Sequence, residues 1–475
     1  MTMEVTSRDF PARALDALDD AQLRRALGRL QTGLAGMRGA AVADLPEFDR
    51  LRDEARAIRD HSLAHLDAYL ERFAYQVEAS GGVVHFAPDA DSAREIVLGI
   101  CRDVGARRVT KGKSMVTEEI ELGEHLAAHG IAPVETDLGE YIIQLRKERP
   151  SHIVGPALHL VKEQVAETFE AHHDPAVAGD RTGAAGLMAE ARAVIRRHFL
   201  EADVGITGAN FAVAETGSTV IVTNEGNGDL TQSLPRVHVA VTGIEKIVPT
   251  LEDAATLIRL LTRSATGQEA SVYTTYSTGP KRAGDPDGPE QFHVVLVDNG
   301  RSGMLGSEFQ DMLRCIRCGA CMNHCPVYAQ VGGHAYGSVY PGPMGAVLTP
   351  SLAGIDAAGH LPNASTFCGA CEAVCPVKIP LPKLMRHWRA REFERHLTPS
   401  AARFGLGVWG FVARRPKLYR FATAVAARIM KLRGGRDGRI AALPVGRGWT
   451  AWRDLPAPAG ETFQEAWAKR RPGTD

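Results

Sequence analysis

The stretch Cys315-Ile316-Arg317-Cys318-Gly319-Ala320-Cys321-Met322-Asn323-His324-Cys325-Pro326 decides how the rest of the chain is read. Its spacing, C-x2-C-x2-C-x3-C-P, is the bacterial iron–sulfur run, in which three closely spaced thiolates reach three corners of one cubane and the fourth cysteine serves the other cluster. A structural zinc site would instead pair two C-x2-C units set well apart, and four cysteines within 11 residues do not fit that pattern. A second group follows as Ser365-x2-Cys368-x2-Cys371-x3-Cys375-Pro376, with Ser365 standing where a complete repeat would place a cysteine. Crossed ligation assigns Cys315, Cys318, Cys321 and Cys375 to one [4Fe-4S] cluster, and Cys325, Cys368 and Cys371 to a second. The second cluster then has three outcomes: Ser365 oxygen as fourth ligand, a [3Fe-4S] cluster, or an open iron. The 42 residues between Cys325 and Cys368 exceed what a compact β-hairpin ferredoxin needs and point to a helical ferredoxin-type domain.

Outward from the cysteines, composition sets the bounds. Seven of the eight cysteines lie between 315 and 375 in a chain of 475 residues, so they read as metal ligands and not as a disulfide framework. Cys101 falls on the apolar side of a helix expected over residues 90–104 and reads as a buried structural thiol. An apolar fraction of 44%, a charged fraction of 23% and a net charge of -1 describe an ordinary globular chain and argue against global nucleic-acid binding. The N-terminus has no basic segment followed by an apolar one, so no signal peptide is expected and the location reads as cytoplasmic.

Four regions are expected: helices over 1–70, an α/β domain over 71–300, a two-cluster domain over 301–390 and a basic helical tail over 391–475. Leu15, Leu18, Leu23, Leu27 and Leu30 recur at helical intervals. In the α/β region, strands are read at 83–86, 108–110, 151–154, 210–214, 219–223, 237–241 and 293–297, with a β-α-β order that implies a parallel sheet. Thr216-Gly217-Ser218 reads as a hairpin on that sheet. No strand-linked G-x-G-x-x-G is present for a flavin or nicotinamide. Electron transfer, with the substrate chemistry elsewhere, is the simplest use of two clusters.

Residues 111–122 (KGKSMVTEEIEL), 134–145 (VETDLGEYIIQL), 151–159 (SHIVGPALH), 207–228 (TGANFAVAETGSTVIVTNEGNG) and 234–250 (LPRVHVAVTGIEKIVPT) resemble the lactate-utilization (LUD) domain. With the cysteine block behind them, the whole chain resembles the lactate utilization protein B family. The resemblance implies an α/β fold of the NagB/ribose-5-phosphate isomerase/CoA-transferase-like kind. It also implies two clusters with seven cysteines, and work alongside lactate utilization proteins A and C in oxidising L-lactate to pyruvate, with electrons passed to an unidentified acceptor. The reading is therefore a non-catalytic electron carrier. The alternative is a catalytic iron–sulfur enzyme that acts on a hydroxy-acid through the open iron or a LUD pocket.

Polar residues of the LUD segments are candidates for such a pocket: Lys111, Lys113, Glu118, Glu119, Glu135, Asp137, Glu215, Thr216, Asn224, Glu225 and Asn227. Solvated turns are the plainer explanation. His324, inside the first cysteine group, reads as a neighbour of the cluster and not a ligand. Residues 383–439 hold 15 Lys/Arg against three acids, interleaved with aromatics; an acidic redox partner and a peripheral membrane contact are both weighed for this stretch.

Overall fold

The computed structural model describes residues 5–443, 447–451 and 453–470. Residues 1–4 and 471–475, at the two ends of the expected regions, and the side chain of Leu30 lie outside the described set. The chain forms two compact units, Met1–Glu392 and Phe393–Asp475.

The first unit is built on ten strands: β1 (Val83–Ala87), β2 (Arg108–Lys111), β3 (Ala132–Glu135), β4 (Val204–Thr207), β5 (Phe211–Val213), β6 (Ser218–Thr223), β7 (Val237–Gly243), β8 (Ile247–Val248), β9 (Tyr273–Ser277) and β10 (Gln291–Val297). Six of them form a parallel sheet in the order β1-β10-β7-β4-β2-β3, with Val83 opposite His293 and Val204 opposite Val237. Its central strands are apolar on both faces; Val204, Ile206, Val239, Val241 and Val295 are fully buried, as parallel sheets covered by helices require. The helix Ala90–Asp103 starts where the Asp89 carboxylate accepts the Ser92 N–H at 2.8 Å, and it buries Val97, Leu98 and Cys101 on the sheet. Burial pushes the Cys101 thiol up to about 12, as for an inert core residue.

Two strand expectations need correction. The Thr216-Gly217-Ser218 hairpin exists, but its strands β5 and β6 belong to a separate four-stranded sheet, β8-β5-β6-β9, and not to the parallel one. Gly217 takes φ +69 there, and a side chain would strike the backbone of Val77 and Gln76. Residues 151–154 are not a strand. The Ser151 amide and hydroxyl both donate to the Pro156 carbonyl, at 3.0 and 2.8 Å, and His152 Nδ1 accepts from the amides of Val154 and Gly155, each at 3.1 Å. Local side-chain bonding of this kind takes the backbone groups that a ladder would use.

The N-terminal helices Phe10–Asp19, Ala21–Thr32, Leu34–Ala43 and Phe48–Ala64 share a core with the cysteine region, through Leu27, Leu45, Phe48 and Leu51. Leu15, by contrast, is exposed. The segment between the cysteine groups is helical in pieces, Tyr328–Val331, His334–Tyr336 and the buried Gly342–Ala353. In the second unit, the helices Ser400–Ala413 and Pro416–Arg433 are joined by a short turn, and Arg439–Ile440 pairs antiparallel with Leu455–Pro456.

Candidate iron–sulfur centres and the adjoining pocket

The two cysteine groups fold as copies of one loop. Cys315-Ile316-Arg317-Cys318-Gly319 and Ser365-Thr366-Phe367-Cys368-Gly369 place their third residues, Arg317 and Phe367, at φ 60 and 54, and their glycines at φ 75 and 82. A short helix follows each, Ala320–Asn323 and Ala370–Ala373. Two non-glycine residues held left-handed at matching positions mark a backbone shaped to turn its side chains inward, at a cost that surrounding contacts must offset. Ser365 therefore occupies the position of Cys315 in space as well as in spacing. Its hydroxyl accepts the Phe367 amide at 3.2 Å.

The loops then exchange partners. One cavity is lined by Cys315, Cys318, Cys321 and Cys375, with Ile153, Ile316, Met344, Val377 and Ile379 closing it. A second is lined by Cys325, Cys368 and Cys371, with Ser365 beside them. None of the cysteines is in a disulfide. The donor set is all soft sulfur apart from one hydroxyl, which suits iron–sulfur clusters. Burial pushes Cys318 and Cys371 up to about 12 and Cys375 up to about 11, with neighbouring thiols adding to the first two, and Cys321 rises well above the ordinary range. Thiols raised this far become thiolates only where a cation compensates them, and the residues present fit bound iron. Backbone amides also point at sulfur: Tyr328 N–H donates to Cys325 Sγ at 3.5 Å and Ile379 N–H to Cys375 Sγ at 3.3 Å.

The two cavities differ in exposure. Cys318 and Cys375 are buried, whereas Cys368 is exposed, and the amide of Ala370 helps hold its thiol below the usual value. The N-terminal helices secure the second loop from behind: Arg38 donates to the Val374 carbonyl at 2.9 Å, and Arg52 to the carbonyls of Cys375 and Ala373 at 3.0 and 2.9 Å. The α/β region secures the first. His152 bonds Asn323 at 3.0 Å, and burial lowers its ring to about 4, so it stays neutral. Tyr328 donates its hydroxyl to the Ser151 carbonyl at 2.6 Å. His324 donates its ring N–H to the Ala320 carbonyl at 2.9 Å and lines neither cavity.

The polar residues read from the LUD segments separate into groups. Lys113, Asp137, Asn224, Glu225 and Asn227 line one pocket at the carboxyl ends of β2 and β4. Lys111, Glu118 and Glu135 form a buried cluster next to it, with Lys111 Nζ 2.6 and 2.8 Å from the two carboxylates. Glu119 pairs with Arg301, Glu215 accepts the Leu251 amide at 3.0 Å, and Thr216 bonds Ser218. Sequence reading missed two residues at this pocket. Lys246 and Arg317 line it, and both adjoin the first cysteine loop. Arg317 was visible in principle as the cationic residue inside a C-x2-C step, while Lys246 had no local signal.

Comparison with known proteins accords with this arrangement. A family model of the LUD domain matches residues 70–297, a 4Fe-4S dicluster domain matches 311–379, and the C-terminal region of lactate utilisation protein B matches 387–472. Lactate utilization protein B of Shouchella clausii is 45% identical over 476 residues, covering 99% of this chain and 98% of its own. Its counterpart in Bacillus pumilus is 44% identical, covering 99% of both. An uncharacterized electron transport protein of Escherichia coli, YkgF, is 42% identical, covering 99% of this chain and 98% of its own. A crystal structure of a DUF162 family protein from Deinococcus radiodurans aligns over 49% of this chain at 14% identity with a TM-score of 0.29, too slight a likeness to argue from. With matched domains along almost its whole length and relatives above 40% identity end to end, the chain belongs to the lactate utilization protein B family.

Proposed function

We propose that this protein is an iron–sulfur electron carrier in the oxidation of L-lactate to pyruvate. In this reading Cys315, Cys318, Cys321 and Cys375 hold one [4Fe-4S] cluster. Cys325, Cys368 and Cys371 hold a second, whose remaining corner faces Ser365. The observation that carries it is the sorting of seven thiols into one cavity of four and one of three, in the crossed pattern of two-cluster proteins. The names of the relatives give lactate utilization and electron transport, and the oxidation step is part of this proposal.

Bound clusters supply one-electron carriage; the chain supplies their surroundings. Apolar Ile153, Met344 and Val377 keep water from the first site, and the guanidiniums of Arg38, Arg59 and Arg317 moderate the negative charge there. The exposed Cys368 edge gives the second site access to a partner protein. Subunits like lactate utilization proteins A and C are the proposed companions. The four regions 1–70, 71–300, 301–390 and 391–475 are proposed as the working divisions of this chain. A peripheral contact with an anionic membrane surface is proposed for residues 383–439. The exposed Phe404, Trp409, Phe421 and Leu432, set among arginines, support it. Among the described residues no helix is long and apolar enough to cross a membrane.

The test is iron and sulfide content with EPR on anaerobically purified protein. Seven to eight irons per chain and two reducible centres are expected; zinc in place of iron overturns the reading. Turnover of L-lactate by the isolated chain with an artificial acceptor would favour the catalytic alternative.

A further inference from the structure

The parallel sheet leaves a cavity of about 300 Å³ beyond the carboxyl ends of β2 and β4. From β2 the chain continues to β3 on one side, whereas β4 is flanked by β7 on the other, so these two strands meet where the strand order reverses. Open α/β sheets receive ligands at that point because the loops diverge there and leave a crevice.

This crevice has a second wall that an α/β domain alone would lack. Arg317 reaches it from between Cys315 and Cys318, and Lys246, whose Nζ lies 3.4 Å from the Cys315 carbonyl, reaches it from the segment after β7. The other lining charges are Lys113, Asp137 and Glu225. Lys113 is engaged by Asp137 at 3.1 Å and by the Val154 carbonyl at 2.9 Å. Arg317 lies 3.3 Å from Glu245 and over the Tyr340 ring. Lys246 is 4% exposed, and among the described residues no carboxylate comes within ion-pair distance of it. A buried lysine amine whose bond is one long contact to a carbonyl has N–H donors to spare for an anion. The buried Asn227 amide oxygen, also on the lining, has no hydrogen-bond partner among the described residues.

We propose that this pocket binds a small organic carboxylate, with Lys246 and Arg317 holding its carboxylate group and Asn227 meeting a hydrogen-bonding group elsewhere on the molecule. With Lys246 counted as charged, Asp137 and Glu225 leave the lining a formal surplus of one positive charge, which matches one carboxylate better than a phosphate dianion. The same two cations stand against the Cys315 loop, so an electron added to a cluster there competes with the carboxylate for them. Binding and reduction therefore oppose each other, and by reciprocity a bound carboxylate lowers the potential of the first cluster. This linkage rests on the ligand assignment proposed above; the pocket itself does not.

The experiment uses the full chain with its clusters, kept anaerobic. Pyruvate, L-lactate, oxalate and inorganic phosphate are titrated separately by calorimetry, and the first cluster is poised by redox titration with EPR readout, with and without the tightest binder. One-site saturation by a carboxylate is expected, with phosphate at least about ten-fold weaker. A ten-fold loss of affinity on reduction corresponds to a potential lowered by about 59 mV. Lys246→Met and Val222→Phe, the latter filling the cavity from β6, should each abolish binding, and Val222→Phe should do so with iron content and EPR line shape unchanged. Intact clusters with no saturable carboxylate binding up to millimolar concentrations overturn the proposal. So do tighter binding of phosphate and full binding by Val222→Phe. Carboxylate binding by a chain that holds no iron would keep the pocket and remove the electron-carrier reading.

Discussion

Arg301 and Glu119 form a two-bonded ion pair at 2.8 and 2.7 Å with both side chains fully buried. Glu119 ends the short helix after β2, and Arg301 stands at the start of the segment leading to the first cysteine, so the pair fastens the parallel sheet to the cysteine domain. Tyr340 and Asn299 donate to the same carboxylate at 2.6 and 2.7 Å, and Arg301 Nε lies 2.8 Å from Glu245. Burial raises both carboxyls, but Arg301 more than offsets it, holding Glu119 below the usual range and Glu245 at about 2.

Removing one partner should be costly, because the other is left charged in the interior. Glu119→Gln is expected to destabilise by on the order of 3–5 kcal/mol, and Tyr340→Phe by about 1 kcal/mol. Thermal unfolding of the two variants beside the parent decides it; equal midpoints would mean that the pair contributes nothing. Both carboxyls are depressed in the fold, so their stabilisation is present above their ordinary value and is lost as pH falls toward 2.

The neighbouring Lys111 cluster runs the opposite way. One buried lysine faces Glu118, Glu135 and Glu140; burial raises Glu135 to about 7 and Glu140 well above its ordinary value. An acid whose folded value is raised is bound neutral, so stability falls as pH rises from about 4.5 through 7. Glu140→Gln supplies the neutral form permanently and should raise stability at pH 8 by roughly 1–2 kcal/mol, with little effect at pH 5. Denaturant midpoints at the two pH values check this, and a variant less stable at pH 8 would contradict it.

Ser365→Cys should complete the second set of thiols. An altered EPR signal from the second centre, with the first unchanged, is the expected outcome. A spectrum identical to the parent would count against all three readings of the Ser365 corner.

Single ligands should separate the centres. Cys318→Ala is expected to lose the signal of the first site, and Cys371→Ala that of the second, each lowering iron by about half. Loss of both signals in Cys371→Ala, with the chain still folded by circular dichroism, would argue against two separate centres.

In the second unit, Phe404, Trp409 and Phe421 are exposed on helices that also carry arginines. Sedimentation with phosphatidylglycerol vesicles should weaken as salt rises, and Trp409→Ser should reduce it several-fold. Equal binding to neutral phosphatidylcholine vesicles would exclude the electrostatic part.

What the sequence could convey followed from how local each signal is. Thiol spacing is local, so the paired loops and the serine in the place of a cysteine are legible in the sequence itself. The strands β3 and β4 were not: at four residues each they are too short to show a period, and β4 is buried throughout. Residues 151–154 read as extended because their apolar content outweighed the bonding capacity of Ser151 and His152, which turns them into a wall beside the cysteines. Lys246 and Arg317 are 71 positions apart, and only tertiary folding sets them on one pocket.

In the proposed assignment, the exchange of Cys325 and Cys375 between loops also makes the two centres interdependent during synthesis. A chain that has emerged only as far as residue 360 presents three sulfurs of the first set and one of the second, so neither site is complete. Both acquire their last cysteines within the eight residues from Cys368 to Cys375, a stretch then held by Arg38 and Arg52 from helices made some 330 residues earlier. Iron delivered to the nascent chain would find only partial nests, and maturation becomes a late event that samples whether the whole first unit has closed.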